Sequence, residues 1–175
     1  GGFGGGALYI ENADISREFS VDVEHCTFRG NLDFSGSGSS IRAEAFNTWV
    51  WMLNTIVADA TGRNLAVEAG ARILSLGGNV SDDATETIFS QGGESYVVQL
   101  FHPHPDSAAR FSQSGAQAPY DVVSLEEGAE NPILEPLGDN GGPTKTHALP
   151  EASQLIGYGL VSERAVDQRG RWRDA

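Results

Sequence analysis

The chain has 175 residues, enough for one domain or slightly more with a core that needs no disulfides. Eleven Lys and Arg against 24 Asp and Glu leave a net charge of −13, which argues against nucleic acid as a partner because phosphate backbones are bound by basic surfaces. Cys26 is the single cysteine, so neither an internal disulfide framework nor a cysteine-based zinc site can form, and 22 Gly with 7 Pro disfavour a helical bundle.

The chain opens on Gly1 and not on Met, and reads as a piece of something longer. Gly2-Phe3-Gly4-Gly5-Gly6-Ala7 fits a dinucleotide-binding pattern, but no strand precedes it and strand-like Leu8-Tyr9-Ile10 follows. That pattern needs a strand before and a helix after, so these residues are read as a turn. Strands are expected at Ala7–Glu11 and Val21–Phe28, closed by Arg29-Gly30-Asn31. Residues 38–60 repeat the plan, with a strand around Ile41 and another from Trp49 to Val57. An offset of 29 aligns Val21 with Val50, Val23 with Met52, His25 with Asn54, Cys26 with Thr55 and Phe28 with Val57. A third, shorter unit follows in Asn64–Val67 and Arg72–Asn79.

Self-similarity at a period of roughly 20–30 residues, with short strands between Gly/Asn turns, predicts an all-β parallel β-helix whose coils bury a shared core. An antiparallel sandwich also repeats strands at short spacing, but hairpin dipeptides such as Asn-Gly are missing between the early strands. Asn at the turns is expected to form side-chain ladders along the stack. The predicted organisation is β-helix coils over 1–83, an irregular strand and loop insertion over 84–130 with a strand at Tyr96–Phe101, and a C-terminal capping module over 131–175. Helical periodicity is confined to short stretches such as Leu155–Arg164. No apolar run approaches the roughly 18 residues of a membrane span, and no basic and apolar leader opens the chain.

Several clusters are candidates for chemistry. Asp22 and Glu24 alternate on a strand, which places both carboxylates on one face about 6.6 Å apart. That separation suits a glycosidase pair. The offset sets Trp51 beside Asp22, so Asp22, Glu24 and Trp51 form a candidate carbohydrate face; the plain alternative is a solvated acidic face. His102, His104 and Asp106 alternate along a Pro-rich, extended segment and can converge on a zinc ion; the alternative is a polar loop. Calcium could take Asp82-Asp83 or Asp139-Asn140, although neither has EF-hand spacing. His25 and Cys26 are adjacent, and strand neighbours point to opposite faces, which argues against a nucleophile–base pair unless a turn intervenes. Cys26 is read as a small interior residue and Asn79-Val80-Ser81 as a structural turn and not a glycosylation site. No catalytic residue is assigned.

The block Leu137-Gly138-Asp139-Asn140-Gly141-Gly142-Pro143-Thr144-Lys145-Thr146-His147-Ala148-Leu149, followed by Asp167-Gln168-Arg169-Gly170, closely resembles the C-terminal module of bacterial secreted proteins called choice-of-anchor Q domain proteins. Between these blocks, Glu151–Gly159 stands where that family usually has Ser-Pro-Ala-Ile-Asp. Gly5-Gly6-Ala7-Leu8 and Phe28-Arg29-Gly30-Asn31 are similar to repeats of polymorphic outer-membrane proteins. The resemblance implies a right-handed parallel β-helix, secreted by a bacterium and displayed at the cell surface, without implying a reaction. It also implies that Asp139, Asn140, Gly141, Gly142, Pro143, His147, Asp167 and Arg169 build the cap. Family members continue to a Gly-Ala-x-Glu segment and a variable anchor, whereas this sequence stops at Asp174-Ala175. The expected role is a stalk, adhesin or extracellular assembly subunit, non-catalytic, with a carbohydrate-binding or polysaccharide-degrading module as the alternative. Expected partners are copies of itself in an oligomer or filament, further coils of a longer parent chain, or a surface polysaccharide.

Overall fold

The computed structural model describes residues 6–32, 40–58, 64–82, 133–153, 155–157, 159 and 166–172, with the backbone of 88–91 and 94–97. The chain divides into two units, Gly1–Glu126 and Glu127–Ala175. All regular elements among the described residues are strands.

In the first unit, nine short strands form three parallel sheets. Strands β1 (Leu8–Glu11), β4 (Ile41–Glu44) and β7 (Leu65–Val67) make the first sheet. The second holds β2 (Phe19–Glu24), β5 (Thr48–Leu53) and β8 (Arg72–Ser75); the third holds β3 (Thr27–Arg29), β6 (Ile56–Ala58) and β9 (Val80–Ser81). Each sheet takes every third strand, so the chain visits all three before adding a rung to any. The offset of 29 holds where the sequence placed it, pairing Val21 with Val50, Val23 with Met52 and Phe28 with Val57. It is 33 in the first sheet, where Leu8 meets Ile41, because the loop 12–18 is longer than its counterpart 45–47. It shortens to 24 where Ile41 meets Leu65 and to 23 where Trp49 meets Arg72.

Alternation sends one set of side chains to a common interior. Ile10, Val23, Ile41, Ala43, Val50, Met52, Val57, Leu65, Val67, Ala71 and Ile73 form one buried cluster to which strands of all three sheets contribute. The middle rung is the driest, with Ile41 and Val50 at 0% exposure and Met52 and Val57 at 1%. Burying each such side chain stabilises the fold by roughly 1.5–3 kcal/mol.

The expected strands Val21–Phe28 and Trp49–Val57 are each two strands broken at a corner. His25 and Asn54 sit in the left-handed region, at φ 52° and 48°. The next residue turns inward, and the column Cys26, Thr55, Asn79 is stitched by side chains. Thr55 Oγ1 accepts from Cys26 N at 3.4 Å, and Asn79 Oδ1 accepts from Thr55 N at 3.0 Å. Mixed residues therefore occupy this corner where an asparagine ladder was expected. The third rung carries one extra residue there, since Met52 pairs with Ser75 but Ile56 pairs with Val80. Between the first two sheets the corner runs through Ala45 and Asn47 on one rung and Ala69 and Gly70 on the next, all at positive φ.

Strands β10 (Ile88–Gln91) and β11 (Glu94–Val97) form an antiparallel pair. The strand expected at Tyr96–Phe101 therefore begins earlier, at Glu94. In the second unit, residues 155–157 form a turn where helical periodicity stood out.

Candidate functional site

The outward side chains of the second sheet bring the carbohydrate candidates together. Asp22 pairs in register with Trp51, and Trp51 with Leu74. Glu24 lies two residues from Asp22 on the same face and pairs with Leu53. Asp22 is exposed, while Glu24 and Trp51 are half-buried. Two further residues complete this face. Trp49 stands two positions before Trp51, with ring centroids 6.2 Å apart and planes inclined by 11°. Exposed Arg72, its partner on the next rung, places its guanidinium 4.8 Å from the Trp49 ring centroid. The sequence carried the signal for Trp49: Trp49-Val50-Trp51 alternates, and extending the offset back one residue pairs Ser20 with Trp49. The face therefore presents two near-parallel indoles flanked by a carboxylate and a guanidinium.

The outer face of the first sheet carries an ion cluster that pattern reading missed. Glu11 and Glu44 are register partners, and Glu68 N donates to Ala43 O at 2.9 Å, stacking a third carboxylate on the next rung. Arg42, only 6% exposed, donates to Glu68 at 2.8 Å and to Glu44 at 3.3 Å. The Tyr9 hydroxyl shares its one proton between Glu44, at 2.9 Å, and Glu11, at 3.2 Å, and its ring lies under the Arg42 guanidinium. Burial, reinforced by the two carboxylates, pushes the Tyr9 phenol up to about 12. Arg42 and Tyr9 thus offset repulsion along a glutamate stack, which explains a buried cation in so acidic a chain.

At His25-Cys26 a turn does intervene, at the left-handed His25. The Cys26 thiol donates to Glu24 O at 3.2 Å, and burial pushes its pKa up, away from the thiolate a nucleophile requires. Asn79, 3% exposed, donates to Met52 O at 3.1 Å and Ser75 Oγ at 2.7 Å, so its amide belongs to the interior. Asp82 accepts from the buried Asn64 amide.

The second unit assembles the two C-terminal blocks. Gly138 and Thr146 exchange backbone hydrogen bonds at 3.0 Å. Asn140 Nδ2 donates to Thr146 O at 2.8 Å, and Asp139 Oδ1 accepts from Gly141 N at 3.0 Å. His147 Nδ1 lies 2.8 Å from Glu135 O; a carbonyl only accepts, so Nδ1 carries the proton. Pro143 lies in the exposed bend 141–144. Asp167 Oδ1 accepts from Arg169 N at 2.8 Å and Arg171 N at 3.0 Å, while its Oδ2 accepts from Arg169 Nε at 2.7 Å. Burial raises the Asp167 pKa, but these hydrogen bonds and the Arg169 charge outweigh it and leave the carboxyl below its usual range. Gln168 Nε2 donates to Thr144 Oγ1 at 2.7 Å. Gly142, at φ 137°, has no room for a side chain: a Cβ there would lie 2.9 Å from Arg169 Cα.

His102, His104 and Asp106 lie outside the described residues, as does Asp83. Among the described residues no group of three or more His, Cys, Asp or Glu is placed to hold a metal ion. Among them, too, no helix is long and apolar enough to cross a membrane. Comparison with protein-family models, curated proteins and solved structures returns no match.

Proposed function

We propose that the chain contains a right-handed parallel β-helix and serves outside a bacterial cell as a non-catalytic stalk, adhesin or assembly subunit. The observation that carries this reading is the in-register stacking of three parallel sheets whose inward residues merge into one apolar cluster. A right-handed crossover follows from the twist preference of parallel connections. Such a stack spends its interior on packing and leaves recognition to its outer faces. The C-terminal blocks that resemble the choice-of-anchor Q module support surface display. Labelling intact cells of the source bacterium with a membrane-impermeant reagent tests the location. The protein is expected to be labelled, and labelling only after lysis would refute the reading.

A second reading, a carbohydrate-binding face, is favoured by the Trp49–Trp51 pair with Asp22 in register beside it. The Trp51 indole, backed by the stacked Trp49, offers apolar surface to sugar C–H groups, and the flanking Asp22 and Arg72 offer an acceptor and a donor to hydroxyls. Retention on immobilised acidic and neutral polysaccharides, lost in Trp51→Ala, is the expected result. Retention unchanged in Trp51→Ala, or none at all, refutes it, and release of reducing ends would make the module an enzyme.

A further inference from the structure

Resting on the carbohydrate-face reading above, we infer that the outer face of the second sheet selects a polysaccharide bearing free amino groups, and holds one protonated amine between the Trp51 ring and the Asp22 carboxylate. The face already seats one cation of its own. The Arg72 guanidinium lies 4.8 Å from the Trp49 ring centroid, and Trp49 stacks on Trp51 with centroids 6.2 Å apart. The quadrupole of an aromatic ring attracts a cation to its face, and indole does so best among the side chains. One ring of the pair therefore displays the interaction, with a cation supplied by the neighbouring strand β8.

The second ring has different neighbours. Trp49 is flanked in register by Ser20 and Arg72, and Trp51 by Asp22 and Leu74. Adjacent strands run about 4.8 Å apart. Asp22 is exposed and Trp51 half-buried, so the carboxylate and part of the indole meet solvent side by side. An ammonium placed there gains an ion pair and a cation–π contact together, whereas a sugar hydroxyl gains a hydrogen bond alone.

Trp49 also carries a cost that packing does not explain. Its Nε1–H is buried and has no hydrogen-bond partner. Buried donors are ordinarily satisfied. This indole is held by its ring contacts with Trp51 and Arg72 and not by its polar edge, which suits a platform that keeps Trp51 in place. The charge of the chain, −13, then ranks the sugars. It disfavours polyanionic glycans, is neutral towards uncharged ones and draws in cationic ones. Within β2, β5 and β8 the one cationic residue is Arg72, already seated on Trp49.

Calorimetric titration of the intact chain with a tetramer of glucosamine, against the matching tetramer of glucose, tests the inference at about pH 6, where sugar amines are charged. The two probes differ only in amine for hydroxyl. The amino tetramer is expected to bind about tenfold tighter: roughly fourfold from a unit charge ~5 Å from Asp22 in water, and two- to fivefold from the cation–π contact. Asp22→Asn, at an exposed position, should cut that preference about fourfold and leave the glucose tetramer unaffected. Trp51→Ala should weaken both, with circular dichroism confirming that the strands persist, and Glu151→Gln, on the exposed surface of the second unit, should change neither. Equal affinity for the two tetramers overturns the amino-sugar inference and leaves the carbohydrate face standing. So does a preference that survives Asp22→Asn in full, which would mark diffuse attraction to an acidic chain. Binding of neither tetramer overturns the carbohydrate face itself.

Discussion

Replacing Asn79 by alanine isolates the contribution of the side-chain stitching at the corner between the second and third sheets. Asn79 Oδ1 accepts from Thr55 N at 3.0 Å, and both residues are buried, at 3% and 0% exposure. The amide also donates to Met52 O and Ser75 Oγ, but those oxygens keep other donors: Leu76 N at 2.7 Å from Met52 O, and Gly77 N at 2.9 Å from Ser75 Oγ. Truncation therefore orphans the Thr55 N–H in a dry interior. An unsatisfied buried donor costs about 1–3 kcal/mol, and the shortened side chain leaves a small void besides. The expected loss is about 2 kcal/mol in denaturant unfolding, or about 4–8 °C in Tm for a chain of this length. Local exchange should rise first at Thr55. A loss below about 0.5 kcal/mol, the range of an uninvolved surface change, would show that the corner is not built this way.

Other substitutions probe separate features. Gly70→Ala places a Cβ 2.7 Å from the Phe46 ring at φ 83°, and should cost about 1–3 kcal/mol. Adding Phe46→Ala should recover the steric part and leave the backbone part, as a double-mutant cycle in urea would show. In the second unit, the depressed Asp167 pKa contributes stability above the unfolded carboxyl pKa that is lost as pH falls through the folded one. Asp167→Asn should therefore destabilise the 166–172 turn at neutral pH, and the difference should vanish in acid; a difference independent of pH would refute the assignment. The Tyr9→Phe difference in alkaline absorbance titration should report a phenol ionising near 12, and Glu44→Gln should bring it down.

The offset between paired strands was legible because Val21, Val23 and Phe28 find apolar counterparts on the next strand of their sheets, and inward positions tolerate little else. The corners were not. His25, Ala45, Asn47, Asn54 and Ala69 adopt positive φ without being glycine, a choice that rung stacking imposes over local preference. The first sheet's offset of 33 was hidden by the long 12–18 loop, held by Asn12 Nδ2 donating to Arg17 O at 2.8 Å and Asn47 Nδ2 donating to Ile15 O at 2.8 Å. On the outer faces, Asp22 beside Trp51 followed from one offset. Arg72 over Trp49 needed a second offset, 23, that the short four-residue strand Arg72–Ser75 could not fix. The Arg42 cluster escaped because a strand arginine reads as a solvated side chain until three glutamates are stacked around it.

Methyl NOE spectroscopy of the intact chain tests the central claim most directly. A closed β-helix places Ile41 of β4, Val50 of β5 and Val57 of β6 around one interior. Cross-peaks are expected among their methyls, together with peaks along the rung column Val21, Val50 and Ile73. Column peaks without peaks between the sheets would describe separate open sheets and contradict the β-helix.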